Sequence, residues 1–134
     1  MAAGIASAGP HMQFKEIGEA FTKHYYETFD SNRQALHSLY QDESLLTFEQ
    51  EQFMGMQQIM TKLTTLQFQT VKHQVTTCDS QPVNRCSGIL TFVTGKLSVD
   101  GSPNPLMFAQ TFLLLPTSGG SWFIAHDLFR LNTA

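Results

Sequence analysis

The chain has 134 residues and a formal net charge of −3, with 42% hydrophobic and 14% charged residues. This length and composition suit one compact domain with a sizeable core and argue against a second domain. The acidic balance argues against nucleic-acid binding, and no apolar run reaches the ~18 residues that a membrane span needs. The N-terminus also lacks a signal-peptide pattern, so we expect a soluble, intracellular protein without nucleic-acid or membrane partners.

Residues 1–12 are small and uncharged and end in Gly-Pro-His-Met, a sequence typical of a cleavage and cloning scar. We interpret 1–12 as an expression-tag remnant, disordered or irregular in structure. Residues 13–134 are then expected to form the single domain, because every periodic apolar segment lies within them.

Apolar spacing and capping residues predict three helices. The first is long, the second is short and follows the cap chemistry of residues 30–32, and the third follows Gly55. Their inward-facing residues, in chain order, are Phe14, Ile17, Phe21, Tyr25 and Phe29, then Leu36, Leu39 and Tyr40, then Ile59, Leu63 and Leu66.

Strand patterns follow the second helix. A small hairpin is predicted from 45–49 and 53–54, and four long strands with a period of two are predicted over 68–79, 89–99, 107–115 and 122–131. Proline- and glycine-containing turns separate the long strands, which indicates antiparallel connections. The predicted fold class is therefore α+β, with three N-terminal helices packed on the concave face of a strongly curved antiparallel sheet.

The last strand predicts how the sheet is covered. Alternation places Asp127 on one face, and His126 and Leu128 on the other, and both faces are largely apolar. The helices cover only one face. We therefore expect a homodimer through the opposite face, with Phe92, His126 and Leu128 at the interface.

A cavity enzyme is the alternative. An acid such as Asp127 beside His24, His73 or Tyr26 in an apolar pocket could serve as a general acid/base pair. In the competing interpretation, Asp127 hydrogen-bonds to backbone groups and the histidines lie at rims or interfaces. No nucleophile motif, glycine-rich phosphate loop or His-Glu-x-x-His sequence is present, so we predict no catalytic residue and no cofactor.

The histidines lie far apart in sequence, and the two cysteines, Cys78 and Cys86, are too few for a disulfide framework or a four-ligand zinc site. We therefore predict no metal site and reduced thiols. A bridge across a hairpin is the alternative for the two cysteines.

The residues resemble those of the nuclear transport factor 2 family, in order and with near-constant spacing from Phe14 to Asn132. The segments that carry the resemblance are Phe21 to Tyr26, Phe29, Asp30 and Arg33, Leu46 to Glu49, Gly55, Leu66 to Gln69 with His73, Asp79 to Pro82, Gly95, and Asp127 to Leu131. The resemblance implies a cone-shaped α+β domain that dimerises through its sheets. The wider superfamily also includes ketosteroid isomerase and scytalone dehydratase, so the fold alone does not decide the function.

The resemblance further implies import of GDP-bound Ran into the nucleus, without enzymatic activity. An aromatic side chain from switch II of Ran would enter the cavity, and acidic rim residues would pair with basic residues of Ran. The implied Ran-binding residues are Phe48 and Phe129 as cavity walls, Leu66 and Phe68 near the mouth, Glu49 and Asp100 as rim carboxylates, and His73 as a supporting rim residue.

Family members also bind Phe-x-Phe-Gly repeats of nucleoporins, and Phe14 occupies the corresponding position near the start of the first helix. Anchoring of that helix to the sheet is the alternative role for Phe14. The family implies a location in cytoplasm and nucleus, enriched at the nuclear pore and envelope. RNA-export cofactor domains share the fold and bind repeats without Ran, and they remain an alternative.

The sequence departs from the family at three places. Many members carry Trp where this chain has Phe48 and Phe14, which keeps an aromatic contact over a smaller area. The acidic loop of the family usually has a second carboxylate after the position of Asp100, and residues 101–104 supply none. One salt bridge to Ran is therefore expected to be missing.

Overall fold

The computed structural model describes residues 8–132, with side chains from 13 onward. The elements are helix α1 (Ala8–Ser31), a 3-10 helix (Arg33–Leu39), strands β1 (Tyr40–Phe48) and β2 (Glu51–Met54), helix α2 (Gly55–Thr64), strand β3 (Val71–Val83), a 3-10 turn (Asn84–Cys86), and strands β4 (Gly88–Val99), β5 (Leu106–Pro116) and β6 (Trp122–Asn132). Helix α1 begins within the predicted tag remnant, while residues 1–7 lie outside the described part of the chain.

The six strands form one sheet in the order β2-β1-β6-β5-β4-β3, and the helices pack on one of its faces. The predicted α+β fold class is confirmed. The sheet is mixed rather than wholly antiparallel, because β1 and β6 run parallel, with Leu46 opposite Asp127 and Phe48 opposite Phe129. The first and last strands of the domain are therefore neighbours inside the sheet. Turn residues between consecutive strands cannot predict this pairing.

Several element ends differ from the prediction; β1 begins earlier, at Tyr40, and β3 ends later, at Val83. Helix α2 ends at Thr64 instead of continuing to Leu66, and β3 begins at Val71 rather than Phe68. The intervening residues, 65–70, form a loop that contains a backbone hydrogen bond from the Phe68 N–H to the Leu66 carbonyl. This segment, the mouth loop, lies at the open end of the cone.

The close approach of α1 to the sheet depends on Gly18. A Cβ atom at this position would overlap Ser80 Oγ and lie 3.0 Å from Thr91 Oγ1. These two hydroxyls bond to each other at 2.9 Å, on strands β3 and β4. Glycine is thus required here for close packing between helix and sheet.

Strand β6 alternates less regularly than predicted. Its pairing with β5 shifts between Leu113 and Leu114, so that Ala125 has no opposite residue and Ile124 is buried, not exposed beside His126. A bulge of this kind turns consecutive residues toward the core. Beyond it the alternation is regular, with Asp127 and Phe129 buried and Leu128 exposed.

Candidate functional site

The cone encloses an apolar cavity of about 200 Å³ between the helices and the concave face of the sheet. An apolar cavity of about 150 Å³ is large enough to take benzene, so this one has room for a single aromatic side chain. The lining residues predicted from sequence are Phe48, Leu66, Phe68, His73 and Phe129, and those that the prediction missed include Tyr25, Phe29, Leu97, Leu106, Gln110 and Leu131.

One wall of the cavity is a stack of aromatic rings. Phe48 and Phe129 lie with ring centroids 4.7 Å apart and planes inclined by 14°. Phe108 stacks on Phe129 at 5.8 Å without lining the cavity itself. Strands β1, β6 and β5 are neighbours in the sheet and present these rings to the same face. The result is a flat, preformed apolar surface suited to contact with another ring.

Glu49 lies at the mouth, in the two-residue turn between β1 and β2. Its backbone is left-handed (φ 52°), as is that of Gln50 (φ 82°), as a type I′ hairpin turn requires. Glu49 Oε1 accepts the Leu131 N–H and lies 3.9 Å from Arg130 Nε, while the side chain stays 37% exposed. The carboxylate is therefore held at the rim and remains accessible to a partner.

Asp100 occupies the corresponding turn between β4 and β5, with φ 51° followed by Gly101 at 70°. Its Oδ1 accepts the N–H groups of Thr70 and Gln69, each at 2.9 Å. These backbone hydrogen bonds hold the pKa of Asp100 below its ordinary value. The residue that the resemblance implies as a rim carboxylate thus also fixes the mouth loop to the sheet.

His73 lies deeper than the predicted rim position. Its side chain is 3% exposed, and its Nδ1 lies 2.6 Å from Asp30 Oδ1, while Asp30 Oδ2 accepts the His73 N–H. The imidazole packs against the rings of Tyr26, Phe29 and Phe108. His73 therefore forms part of the cavity wall, because its carboxylate partner on α1 draws it inward.

A buried hydrogen-bond network adjoins the cavity through the lining residues Tyr25 and Gln110 and ends on one carboxylate. Tyr40 donates to Asp127 Oδ2 and Gln110 donates to Asp127 Oδ1, both at 2.7 Å. Behind these, the Tyr25 hydroxyl bonds to that of Tyr40 at 2.9 Å and Tyr26 donates to Gln110 at 2.6 Å. Burial raises the pKa of Asp127 to about 6, although the bonds from Gln110 and Tyr40 oppose the rise.

This geometry does not provide the general acid/base pair of the enzyme hypothesis. Asp127 is 1% exposed and does not line the cavity, since Tyr40 and Gln110 cap both of its oxygens. Within residues 8–132 no histidine bonds to it: His73 pairs with Asp30, and His24 is exposed. The same residues contain no group of three or more side chains able to hold a metal ion.

The outer face of the sheet carries an apolar patch. Phe92, Thr111 and Leu128 lie opposite one another in a row across β4, β5 and β6. Phe92 is 45% exposed and Leu128 is 53% exposed. Beside this row lies His126, also exposed, with the exposed side chains of Leu45, Met54 and Leu90 around it.

Phe14 lies near the start of α1, and its side chain is partly buried against the hydrophobic core. This placement fits an anchoring role and leaves part of the ring accessible. Cys78 and Cys86 are free thiols. None of the described helices has the length and apolar character of a membrane span.

The fold and the cavity define a class: α+β cone proteins with an apolar cavity between the helices and the sheet. The model of the nuclear transport factor 2 (NTF2) domain matches residues 17–131. Nuclear transport factor 2B of Arabidopsis thaliana is 48% identical over 118 residues, covering 88% of this chain and 94% of the relative. The chain belongs to the nuclear transport factor 2 family.

Solved structures agree with this assignment. Nuclear transport factor 2 of Cryptosporidium parvum superposes with a TM-score of 0.86 at 45% identity, covering 90% of this chain and 95% of that one. A hexachlorocyclohexane dehydrochlorinase superposes with a TM-score of 0.72 at 11% identity, covering 91% and 87%, and shares the fold alone. Relatives named as transport factors support a role in nuclear transport and point away from an enzyme.

Proposed function

We propose that the chain carries GDP-bound Ran into the nucleus, taking an aromatic side chain of switch II into the apolar cavity. The observation that carries this proposal is a cavity of about 200 Å³ with stacked rings for a wall and carboxylates at its mouth. Burial of one aromatic side chain supplies roughly 1.5–3 kcal/mol. Glu49 and Asp100 at the rim then favour a partner with basic residues beside that ring.

Selectivity for nucleotide follows from the partner. Switch segments of GTPases change conformation with the γ-phosphate, so the aromatic side chain is presented in only one nucleotide state. The cavity itself needs no contact with the nucleotide. One Ran molecule is expected for each cavity.

The carrier is proposed to act as a homodimer through the outer sheet face. The row of Phe92, Thr111 and Leu128 supports this, because exposed apolar side chains on three adjacent strands mark an interaction surface. His126 lies beside Leu45 and Leu113 at the same patch. A two-fold axis through the patch would bury the patch of each copy against that of the other in one isologous interface.

Passage through the pore requires contact with nucleoporins, which we propose is made with Phe-x-Phe-Gly repeats. Phe14 is the candidate contact, since its ring is partly exposed near the start of α1. We accordingly propose that the protein is found in cytoplasm and nucleus and is enriched at the nuclear pore and envelope.

Calorimetric titration tests the proposal. The purified protein is titrated with Ran loaded with GDP and, separately, with a non-hydrolysable GTP analogue. Binding of the GDP form alone, at one Ran per subunit, is the expected result. Absence of binding to both forms would refute the Ran assignment, and titration with a Phe-x-Phe-Gly peptide would then test the alternative of a repeat-binding domain without Ran.

A further inference from the structure

Arg33 is one of the residues that carry the family resemblance, yet it does not line the cavity and was not predicted as a binding residue. It begins the 3-10 helix, and its guanidinium lies over two aromatic rings that line the cavity. Its guanidinium carbon lies 4.5 Å from the centroid of the Phe68 ring and 5.1 Å from that of Phe29. A planar guanidinium is attracted to ring faces, and the attraction strengthens where water is excluded.

The same side chain contacts the end of α2. Arg33 Nη1 donates to the Leu63 carbonyl at 3.1 Å, in the last turn of the helix, where carbonyls lack helical partners. Its buried Nε has no hydrogen-bond partner within residues 8–132, and no described carboxylate forms an ion pair with it. Ring contacts and one carbonyl therefore hold this cation directly, and the Asp30 carboxylate attracts it from beyond ion-pair distance.

Arg33 thereby connects α1, the end of α2 and the mouth loop, residues 65–70. Phe68 lines the cavity from this loop, and the next two amides are fixed by Asp100. The loop is thus held at two points, by Asp100 from the sheet and by Arg33 over the ring of Phe68. Within residues 8–132, the other cation–ring contacts are on Phe29, Phe48 and Phe53.

We infer that Arg33 is a positioning residue for partner binding, which holds Phe68 at the cavity mouth so that the entering aromatic side chain meets a preformed wall. The inference rests on the proposed function. A loop already ordered before binding loses less conformational freedom when the partner arrives, and affinity rises accordingly. Arg33 acts through Phe68 and does not touch the partner.

A double-mutant cycle with Ran–GDP tests this coupling. Arg33→Gln should weaken binding at least ~5-fold in the native background but less than ~2-fold in a Phe68→Leu background. Equal losses in both backgrounds would overturn the inference, since a general effect on the fold does not depend on Phe68. Arg85→Gln is the matched control, because Arg85 is exposed in the turn before β4 and its loss removes the same charge.

Arg33→Lys separates stacking from charge. Lysine keeps the positive charge but lacks the planar group that lies against the ring, so its affinity should resemble that of Arg33→Gln. Affinity equal to that of the native protein would overturn the stacking mechanism. If Arg33→Gln does not fold, Arg33→Lys replaces it in the cycle.

Hydrogen exchange of the free protein gives a readout that needs no partner. The Gln69 and Thr70 amides should exchange at least ~10-fold faster in Arg33→Gln than in Arg85→Gln, because the loop opens locally. Unchanged exchange would overturn the positioning role. If the native protein binds neither form of Ran, the proposed function fails, whereas the exchange rates still decide whether Arg33 orders the loop.

Discussion

Phe48 and Phe129 stack across the parallel strands β1 and β6, which place the two residues opposite each other in register. The wall of the cavity is therefore made by the pair of strands that lie farthest apart in sequence. Glu49 follows Phe48 directly and bonds to Leu131, so the same pairing places the rim carboxylate beside the aromatic wall. One strand pair therefore holds the aromatic wall and the Glu49 carboxylate next to each other.

Reversing the charge at Glu49 should abolish binding of Ran–GDP. Glu49→Lys places a cation where a basic partner is expected, and like charges at an interface cost several kcal/mol. Calorimetry measures the loss, while circular dichroism and light scattering verify that the variant remains folded and assembled. Glu43→Lys, at an exposed position of β1, serves as the control. Native affinity in Glu49→Lys would refute the rim assignment.

Leu128→Glu should dissociate the proposed dimer. It introduces an unpaired charge at the centre of the outer patch, and burying such a charge weakens assembly by ~100-fold or more. Multi-angle light scattering measures the mass in solution. Gln74→Glu, an exposed position on the edge strand β3, makes the same charge change away from the patch and should leave the dimer intact. A dimeric Leu128→Glu protein would place the interface elsewhere.

Asp127 should make stability fall as the pH rises. Its pKa of about 6 exceeds the ordinary value of 3.8, so the folded state holds the proton more tightly than the unfolded chain does. The contribution of protonated Asp127 to the free energy of unfolding is fully present below pH ~4 and is lost as the pH rises through ~6. The difference between the folded and unfolded pKa values corresponds to about 3 kcal/mol.

Urea unfolding between pH 4 and pH 7, at fixed protein concentration, compares Asp127→Asn with the native protein. The variant removes the titrating group, so its free energy of unfolding relative to the native protein should increase across this interval. A difference that stays constant with pH would show that Asp127 keeps one protonation state throughout.

Gln50→Gly should stabilise the hairpin between β1 and β2. Gln50 has φ 82°, a conformation that costs a residue with a Cβ atom roughly 1–2 kcal/mol and costs glycine little. We expect the free energy of unfolding to rise by about 1 kcal/mol in urea. Gln52→Gly, inside strand β2, should instead destabilise the protein, because glycine weakens strand interiors. A loss of stability in Gln50→Gly would contradict the assigned turn.

The α+β class follows from patterns that extend over only a few residues. The stripe from Phe14 to Phe29 identifies the first helix, and alternation in 89–99 and 107–115 identifies strands, because each signal depends on neighbours two to four positions apart. The cavity residues Phe48, Phe68 and Phe129 followed from family resemblance. Periodicity alone marks them only as apolar.

The tertiary structure decided the parallel pairing of β1 with β6, the burial of His73 against Asp30 and the attachment of the mouth loop to Asp100. It also brought the Arg33 guanidinium against the rings of Phe29 and Phe68. Each of these depends on residues brought together from distant parts of the chain, where no local period records the contact. The sequence by itself therefore determined the elements and the apolar character of the cavity, while long-range packing decided which polar residues shape its mouth and which are enclosed in its wall.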